Sequence, residues 1–317
     1  MRRHPPASLS FDFDNLWSYM KTHGDRGWES FPSYLDTLVP IVLERFARHG
    51  VTVTCFVVGQ DAALDRNRDA LAELARQGHE IGNHSFSHEP WFHAYDRARV
   101  EREIVLTEEH IERVTGRRPR GFRGPGFSLS KDAVDVLQQR GYAYDASTLP
   151  TFLGPLAHAY YFSTSGDMSA EERRLRSRLF GSVSDGLRPL RPYTWDGGLL
   201  EIPVTTMPLL RIPFHLSYLV YLAGVSRSAV RAYLRLALAL CRASGIEPSF
   251  LLHPLDVLGG DRVKELSFFP GMATATARKL ELFDEVIGIL GSSFRFVTLE
   301  EHAQIARDSG PLRSVSP

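Results

Sequence analysis

Six side chains in four short stretches are of types that can do hydrolytic chemistry together. Asp12 and Asp14 close the early apolar run LSFDFD, His84 and His88 stand in HSFSH, Arg123 lies in FRGPG, and His253 follows the apolar run SFLLHP. Carboxylate and imidazole are ligands for a divalent, zinc-like ion. One carboxylate with two imidazoles leaves coordination positions open for water and substrate. That is the inventory of a hydrolytic metal site.

The spacing supports this chemistry. Successive side chains of a strand alternate faces, so Asp12 and Asp14 point one way while Phe11 and Phe13 point the other. Two carboxylates crowded into one small space stay ionised only if something compensates them, and a metal on one with a guanidinium on the other would do so. His84 and His88 are four apart, which predicts one face of a helical turn after the strand-like HEIGN. Each pair alone is a weak signal, since a lone D-x-D is more often a solvated or capping pair. Both pairs directly follow apolar, β-like runs.

The stretches LSFDFDN, GHEIGNHSFSH, GFRGPGFS, GYAYDAS and FLLHP together resemble the successive motifs of the polysaccharide deacetylases, the NodB-homology or family-four carbohydrate esterases. The resemblance runs from about Leu9 to His253, and GHEIGNHSFSH is its most specific part. It implies a distorted (β/α) barrel in which Asp14, His84 and His88 hold one divalent metal, zinc foremost with cobalt or nickel as alternatives. It further implies Asp12 as general base, Arg123 as the residue that orients Asp12, and His253 as general acid. The first motif here is Asp-x-Asp where the commoner pattern has two adjacent aspartates, so an exchange of base and ligand between Asp12 and Asp14 stays open. The usual tryptophan-bearing fourth motif is replaced by Tyr144-Asp145-Ala146-Ser147, which leaves Asp145 and Asp256 as alternative tuning partners of a catalytic group.

The chemistry of these roles is general. A metal polarises an amide carbonyl and brings the pKa of its water to about 7. A tetrahedral oxyanion needs donors besides the metal, and a backbone N–H of the Arg123 loop, with Gly126 the candidate, would be one. An amine leaves only when protonated, which is the task expected of His253. Of the four tryptophans, Trp17, Trp28, Trp91 and Trp195, Trp91 is closest to the metal motif and is the first candidate for a sugar platform. The segment 15–32 is expected to wall the cleft.

These residues need strands to carry them. Strand-like runs are predicted near 8–12, 51–58, 80–83, 121–123, 143–145, 199–204, 249–252 and 295–299. Helical patterns are predicted over 34–48, 66–77, 97–115, 131–140, 227–243 and 274–290. Short apolar strands alternating with amphipathic helices argue for parallel βαβ units and, at this count, a closed or distorted barrel. The motifs then fall at the C-terminal strand ends, where barrel enzymes place their chemistry. The expected organisation is a single domain over residues 1–317 with an atypical insertion at about 150–245.

At 317 residues and 43% hydrophobic, the chain can bury one large core. Lys+Arg and Asp+Glu are both 37, so no global basic field points to nucleic acid. Cys55 and Cys241 are the two cysteines, and no structural disulfide is expected. No apolar run precedes the first strand, which reads as the absence of a secretory signal and gives a cytoplasmic expectation. Within the insertion, Arg173, Arg174, Arg176 and Arg178 form an arginine-rich stretch, and TMPLLRIPFHLSYLVYLAG is apolar but interrupted. Arg227, Arg231 and Arg235 recur along one helix face opposite Val230, Leu234, Ala237 and Leu238. The plain reading is an outer helix with a solvated basic face, and the alternative is peripheral contact with the inner membrane face or a polyprenyl tail.

The functional expectation is a metal-dependent hydrolase removing an N-acyl group, acetyl foremost, from an amino sugar or polysaccharide. Alternatives are a deformylase or deacetylase of a lipid-linked, polyprenyl-phosphate amino sugar, and a sugar-binding pseudoenzyme. A metallophosphoesterase would want more carboxylate ligands than the one cluster supplies.

Overall fold

The strand that carries Asp12 and leads directly into Asp14, β1 (Pro6–Phe13), is buried along its whole length at the centre of a curled, mainly parallel sheet. The computed structural model describes residues 4–154 and 183–317. β1 pairs in parallel with β2 (Thr54–Val57) on one side and with β8 (Ser249–Leu252) and β9 (Arg295–Val297) on the other. From β2 the sheet continues through β3 (Glu80–Asn83), β4 (Gly121–Phe122), β5 (Tyr144–Asp145) and β7 (Leu200–Glu201), all parallel. β6 (Tyr193–Trp195) then joins β7 antiparallel, and β10 (Ser314–Val315) adds to β6.

No ladder joins β7 to β8. The chain just past β7 closes that gap with two bonds, Thr205 N–H to Ser249 O (3.0 Å) and Ser249 N–H to Thr205 Oγ1 (2.8 Å). The result is a distorted (β/α) barrel, as the alternating pattern predicts.

Outside the sheet lie α1 (Leu16–His23), α2 (Leu35–His49), α3 (Gly59–Ala63), α4 (Arg68–Arg76), α5 (Arg97–Thr115), α6 (Lys131–Gln139), α7 (Leu216–Ala223), α8 (Arg227–Ala243), α9 (Thr276–Gly291) and α10 (Leu299–Asp308). Local signals set their limits. Asp96 caps α5 by accepting from Arg99 N–H (2.9 Å), and Gly116 ends it at φ 73°. The outward face of β1, Ala7, Leu9, Phe11 and Phe13, belongs to the largest core cluster, with α2 and α9 supplying Phe46 and Phe283. The inward face is polar: Ser8, Ser10, Asp12 and Asp14.

The arginine-rich stretch at 173–178 lies outside the described residues. The apolar stretch after Thr206 folds into a loop bridged by Thr206 and Pro213, followed by α7, whose Leu216, Leu219 and Val220 are buried. The basic face of α8 is largely spent on protein. Arg227 Nη2 is 3.2 Å from Glu285 Oε2, and Arg231 also pairs with Glu285 on the adjacent α9. This favours the reading of α8 as an ordinary outer helix. Cys55 and Cys241 are buried free thiols.

Candidate active site

β1 delivers its two carboxylates to the same side because the strand alternates, and each meets a different partner. Arg123, at the end of β4, has no exposed surface. Its Nη1 donates to Asp12 Oδ1 (2.7 Å) and Ser10 Oγ (2.9 Å), and its Nε donates to Ala146 O (2.9 Å). The guanidinium lies 4.4 Å from the Phe56 ring centroid. A buried arginine is tolerated here because a carboxylate, a hydroxyl and a carbonyl replace its water. Arg123 occupies Oδ1 of Asp12, while Oδ2 faces His253 Nε2 at 3.9 Å.

Asp14, just past β1, meets the two histidines. Its Oδ1 is 3.3 Å from His84 Nε2 and 2.8 Å from His88 Nε2. Neither the Asp14 Oδ1 nor the His88 Nε2 atom has an aligned hydrogen-bond partner among the described residues. Their lone pairs instead converge with that of His84, and the ligand atoms of all three residues lie within 4.8 Å of one another. His84 Nδ1 is 2.7 Å from Arg123 O, which fixes Nδ1 as the protonated nitrogen and leaves the Nε2 lone pair toward Asp14. Burial alone would raise the Asp14 carboxyl, but His88 and His84 hold it well below the usual range. Orphaned, convergent ligand atoms of this donor set fit a divalent cation.

The two histidines do not sit on a helical turn. Residues 84–88 form a loop in which Ser85 (φ 59°) and His88 (φ 49°) are left-handed. Such backbone costs of order 1–2 kcal/mol per residue and persists only where the surroundings dictate it. Buried Glu103 of α5 dictates it: Oε2 accepts from Phe86 N–H (2.9 Å) and Ser87 N–H (2.7 Å), and Oε1 from Ser87 Oγ (2.8 Å). Lys21 of α1 bonds Ser87 O (3.1 Å) and Glu89 (2.5 Å), pinning the same loop from the other side. Glu103 sits far along the chain on a helix, and no spacing rule marks it.

His253 follows β8 and is protonated by its setting. Burial disfavours its charge, but Asp256, Asp12 and Asp14 outweigh burial and push it up to about 9. Asp256 Oδ2 accepts from His253 N–H (2.8 Å) and lies 3.8 Å from Nδ1, while Ser217 Oγ approaches Nδ1 at 3.2 Å. Of the two tuning candidates, Asp256 is thus the one beside His253. Lys279 Nζ donates to Leu255 O (2.6 Å) and Leu258 O (2.9 Å), holding the turn that carries both. His215, at the start of α7, has its ring 6.1 Å from that of His253 and its Nδ1 without a partner among the described residues. Burial, reinforced by His253, pushes it down to about 3, so it is neutral. Ser217 and His215 come from the atypical segment and carry no motif.

The loop after Arg123 is shaped by glycine. A side chain at Gly124 would place Cβ 1.9 Å from Ser128 O. Gly126 and Phe127 are both left-handed, at φ 57° and 62°. The turn is closed by Phe127 N–H to Gly124 O and Ser128 N–H to Pro125 O, both 3.0 Å, bonds that do not use the Gly126 N–H. Asp145 does not reach His253's neighbours Asp256 and Ser217; its Oδ1 accepts from Ser147 Oγ (2.5 Å), which accepts in turn from Gly124 N–H (2.8 Å).

A cleft of about 740 Å³ opens beside this loop, lined by Gly126, Ser147, Thr148, Trp195, His215 and Tyr218 among others. Pro90 and His93 line it but Trp91 does not. Trp91 packs against the cluster around Phe92, Tyr95 and Phe122, and Trp195 is the tryptophan at the cleft. The segment 15–32 is likewise absent from the described lining; it forms α1, whose Tyr19 hydroxyl donates to Asp14 Oδ2 (3.2 Å).

A distorted barrel with this polar inward face is the fold of the polysaccharide deacetylases. A solved structure from Mycobacterium smegmatis, assigned as a polysaccharide deacetylase, superposes with a TM-score of 0.60 at 20% identity, covering 99% of this chain and 95% of that one. Residues 8–144 match the polysaccharide deacetylase family model, so this part of the chain is similar to that family. It is 33% identical over 108 residues to the uncharacterized protein YlxY of Bacillus subtilis, covering 34% of this chain and 31% of that one. It is 27% identical over 124 residues to the peptidoglycan-N-acetylglucosamine deacetylase of Bacillus cereus, covering 34% of this chain and 44% of that one. The chain therefore spans less than half the length of these curated relatives.

Proposed function

We propose that this protein is a hydrolase dependent on one divalent metal ion, zinc foremost, that removes an N-acyl group, most simply acetyl, from an amino sugar of a polysaccharide or glycan. The observation that carries this reading is the convergence of the Asp14, His84 and His88 ligand atoms, with Asp14 Oδ1 and His88 Nε2 lacking a hydrogen-bond partner among the described residues, beside an Asp12 locked by Arg123 and a His253 whose pKa is raised to about 9. Asp14, His84 and His88 would hold the metal. When bound, it would supply Lewis-acid polarisation of the acyl carbonyl and a water acidic enough to attack near neutral pH.

The protein's own groups supply the rest. Arg123 pairs with Asp12 and fixes Oδ1, so Oδ2 is the oxygen that takes the proton of the attacking water. The Gly126 N–H, unused by its own turn, donates to the developing oxyanion. His253 protonates the departing amine nitrogen, without which the C–N bond does not break. Both Asp12 and His253 are thereby left in the opposite protonation state and reset by proton exchange with solvent.

A lipid-linked amino sugar is the second reading. It is favoured by the exposed Phe152, Leu187, Leu209 and Leu210, of which Phe152 and Leu187 adjoin the cleft-lining Thr151 and Arg188 in sequence. Their segments are joined by Thr151 Oγ1 on Arg211 O (2.8 Å) and Arg211 Nη1 on Arg188 O (2.7 Å).

The deciding experiment measures acetate and formate release by stripped and zinc- or cobalt-reloaded protein. The substrates are N-acylated amino sugars offered free, as oligosaccharides and polyprenyl-phosphate-linked. Metal-dependent release from oligosaccharides supports the first reading, and release confined to the lipid-linked substrate supports the second. Binding without release from any of them would make the protein a non-catalytic sugar binder.

A further inference from the structure

Two carboxylates outside the set just described lie side by side in the barrel wall. Asp145 and Glu201 are register partners on parallel strands β5 and β7, so their side chains share a side of the sheet, and neither has exposed surface. Their donors can be followed one by one. Asp145 Oδ1 accepts from Ser147 Oγ (2.5 Å). Glu201 Oε1 accepts from Thr148 N–H (3.0 Å) and Thr148 Oγ1 (2.6 Å), and Oε2 from Trp195 Nε1 (3.2 Å). Asp145 Oδ2 is buried with no donor among the described residues.

The other charged or titratable groups that face the pair are Arg123 and Tyr193. Arg123 acts on Asp145 through space; its bonds go to Asp12, Ser10 and Ala146, and its buried Nη2 has no hydrogen-bond partner among the described residues. The Tyr193 hydroxyl is buried and held neutral by that burial and by Glu201. Two full negative charges in adjoining, fully buried positions, with only a guanidinium already paired to Asp12 acting on them, would be severely destabilising.

We propose that Asp145 and Glu201 share one proton and act as a single positioning unit for the active site. The proton on Glu201 is the donor that Asp145 Oδ2 lacks, and it leaves one negative charge for the pair. Burial, then repulsion from Asp145, raises the Glu201 carboxyl well above its ordinary range, in keeping with this arrangement. From the pair two lines run to the cleft. Asp145 orders the Ser147 hydroxyl, which holds Gly124 N–H (2.8 Å) and so the loop bearing Arg123 and Gly126. Glu201 holds Thr148 and Trp195, both of which line the cleft. The catalytic consequence rests on the deacylase reading; the shared proton does not.

The test uses metal-stripped full-length protein and infrared difference spectra in D2O at neutral pH. Wild type minus Glu201→Gln is expected to show a protonated carboxyl C=O band. Asp145→Asn is expected to remove the same band, because Glu201 ionises once an amide supplies the missing donor. In the reloaded enzyme, Glu201→Gln keeps the donor and should hold kcat within about threefold, whereas Glu201→Leu should lose about tenfold or more, the worth of one positioning hydrogen bond, with zinc affinity unchanged. Should Glu201→Leu not fold, the two infrared spectra decide alone. Absence of the band in wild type, its persistence in Asp145→Asn, or a folded Glu201→Leu as active as Glu201→Gln would overturn the proposal. A band with the expected behaviour in a protein that releases no acyl group would leave the pair standing and remove the deacylase reading.

Discussion

Replacing Arg123 with methionine removes the guanidinium hydrogen-bonded to Asp12 and keeps much of the side-chain volume. In the native protein this guanidinium satisfies Asp12 Oδ1, Ser10 Oγ and Ala146 O, all of them buried. Breaking one side of a buried ion pair costs about 3–5 kcal/mol, because the remaining charge is stranded. Asp12→Asn strands Arg123 in the same way and should cost about 2–4 kcal/mol. The double variant carries neither stranded charge, so it should be at least about 2 kcal/mol more stable than the sum of the two losses implies. Urea unfolding of all four proteins in chelator measures this free of any metal contribution, and a native stability of about 5–15 kcal/mol leaves room to see it. Additive losses, or an Arg123→Met cost below about 1 kcal/mol, would refute the view that this pair is energetically one unit.

Metal binding should separate the two aspartates. Zinc at about one hundred times its dissociation constant should stabilise wild type and Asp12→Asn by about 3 kcal/mol and leave Asp14→Ala unmoved in thermal melts; the reverse pattern would exchange the two roles. The pH profile should show activity that holds while His253 is protonated and falls as pH rises through its raised pKa of about 9. A bound cation offsets Asp14 and moves that limb lower. His253→Gln should abolish the limb along with most of kcat, and a limb that survives in His253→Gln would assign the proton to another group. The two loop glycines should respond differently to alanine. Gly124→Ala drives Cβ to 1.9 Å from a backbone oxygen and should cost at least about 3 kcal/mol, whereas Gly126→Ala meets only Pro90 Cβ at 3.7 Å and should cost about 1–2 kcal/mol for its left-handed backbone. Equal melting temperatures for the two would contradict the steric account.

Period-two alternation in LSFDFD was sufficient, by itself, to set Asp12 and Asp14 on one face and the phenylalanines in the core, because the alternation of a strand is a local property of its backbone. The same locality made the helices at 97–115 and 227–243 legible to the residue; in the structure Asp96 and Ser226 cap them. The short strands at Tyr193–Trp195 and Ser314–Val315 were not legible; they pair with each other, and the first with β7, only once the chain ends meet. The four-residue interval of His84 and His88 suggested a helical turn, but tertiary contacts with Glu103 and Lys21 decided on a left-handed loop instead. In the same way Ser217 and His215 reach His253, and Glu201 reaches Asp145, across tens of residues. A ligand's type and its strand face are written locally, so the sequence alone carries them. Which carboxylate meets the arginine, which tunes the histidine and which must share its proton depend on distances and desolvation that exist only once the barrel has closed.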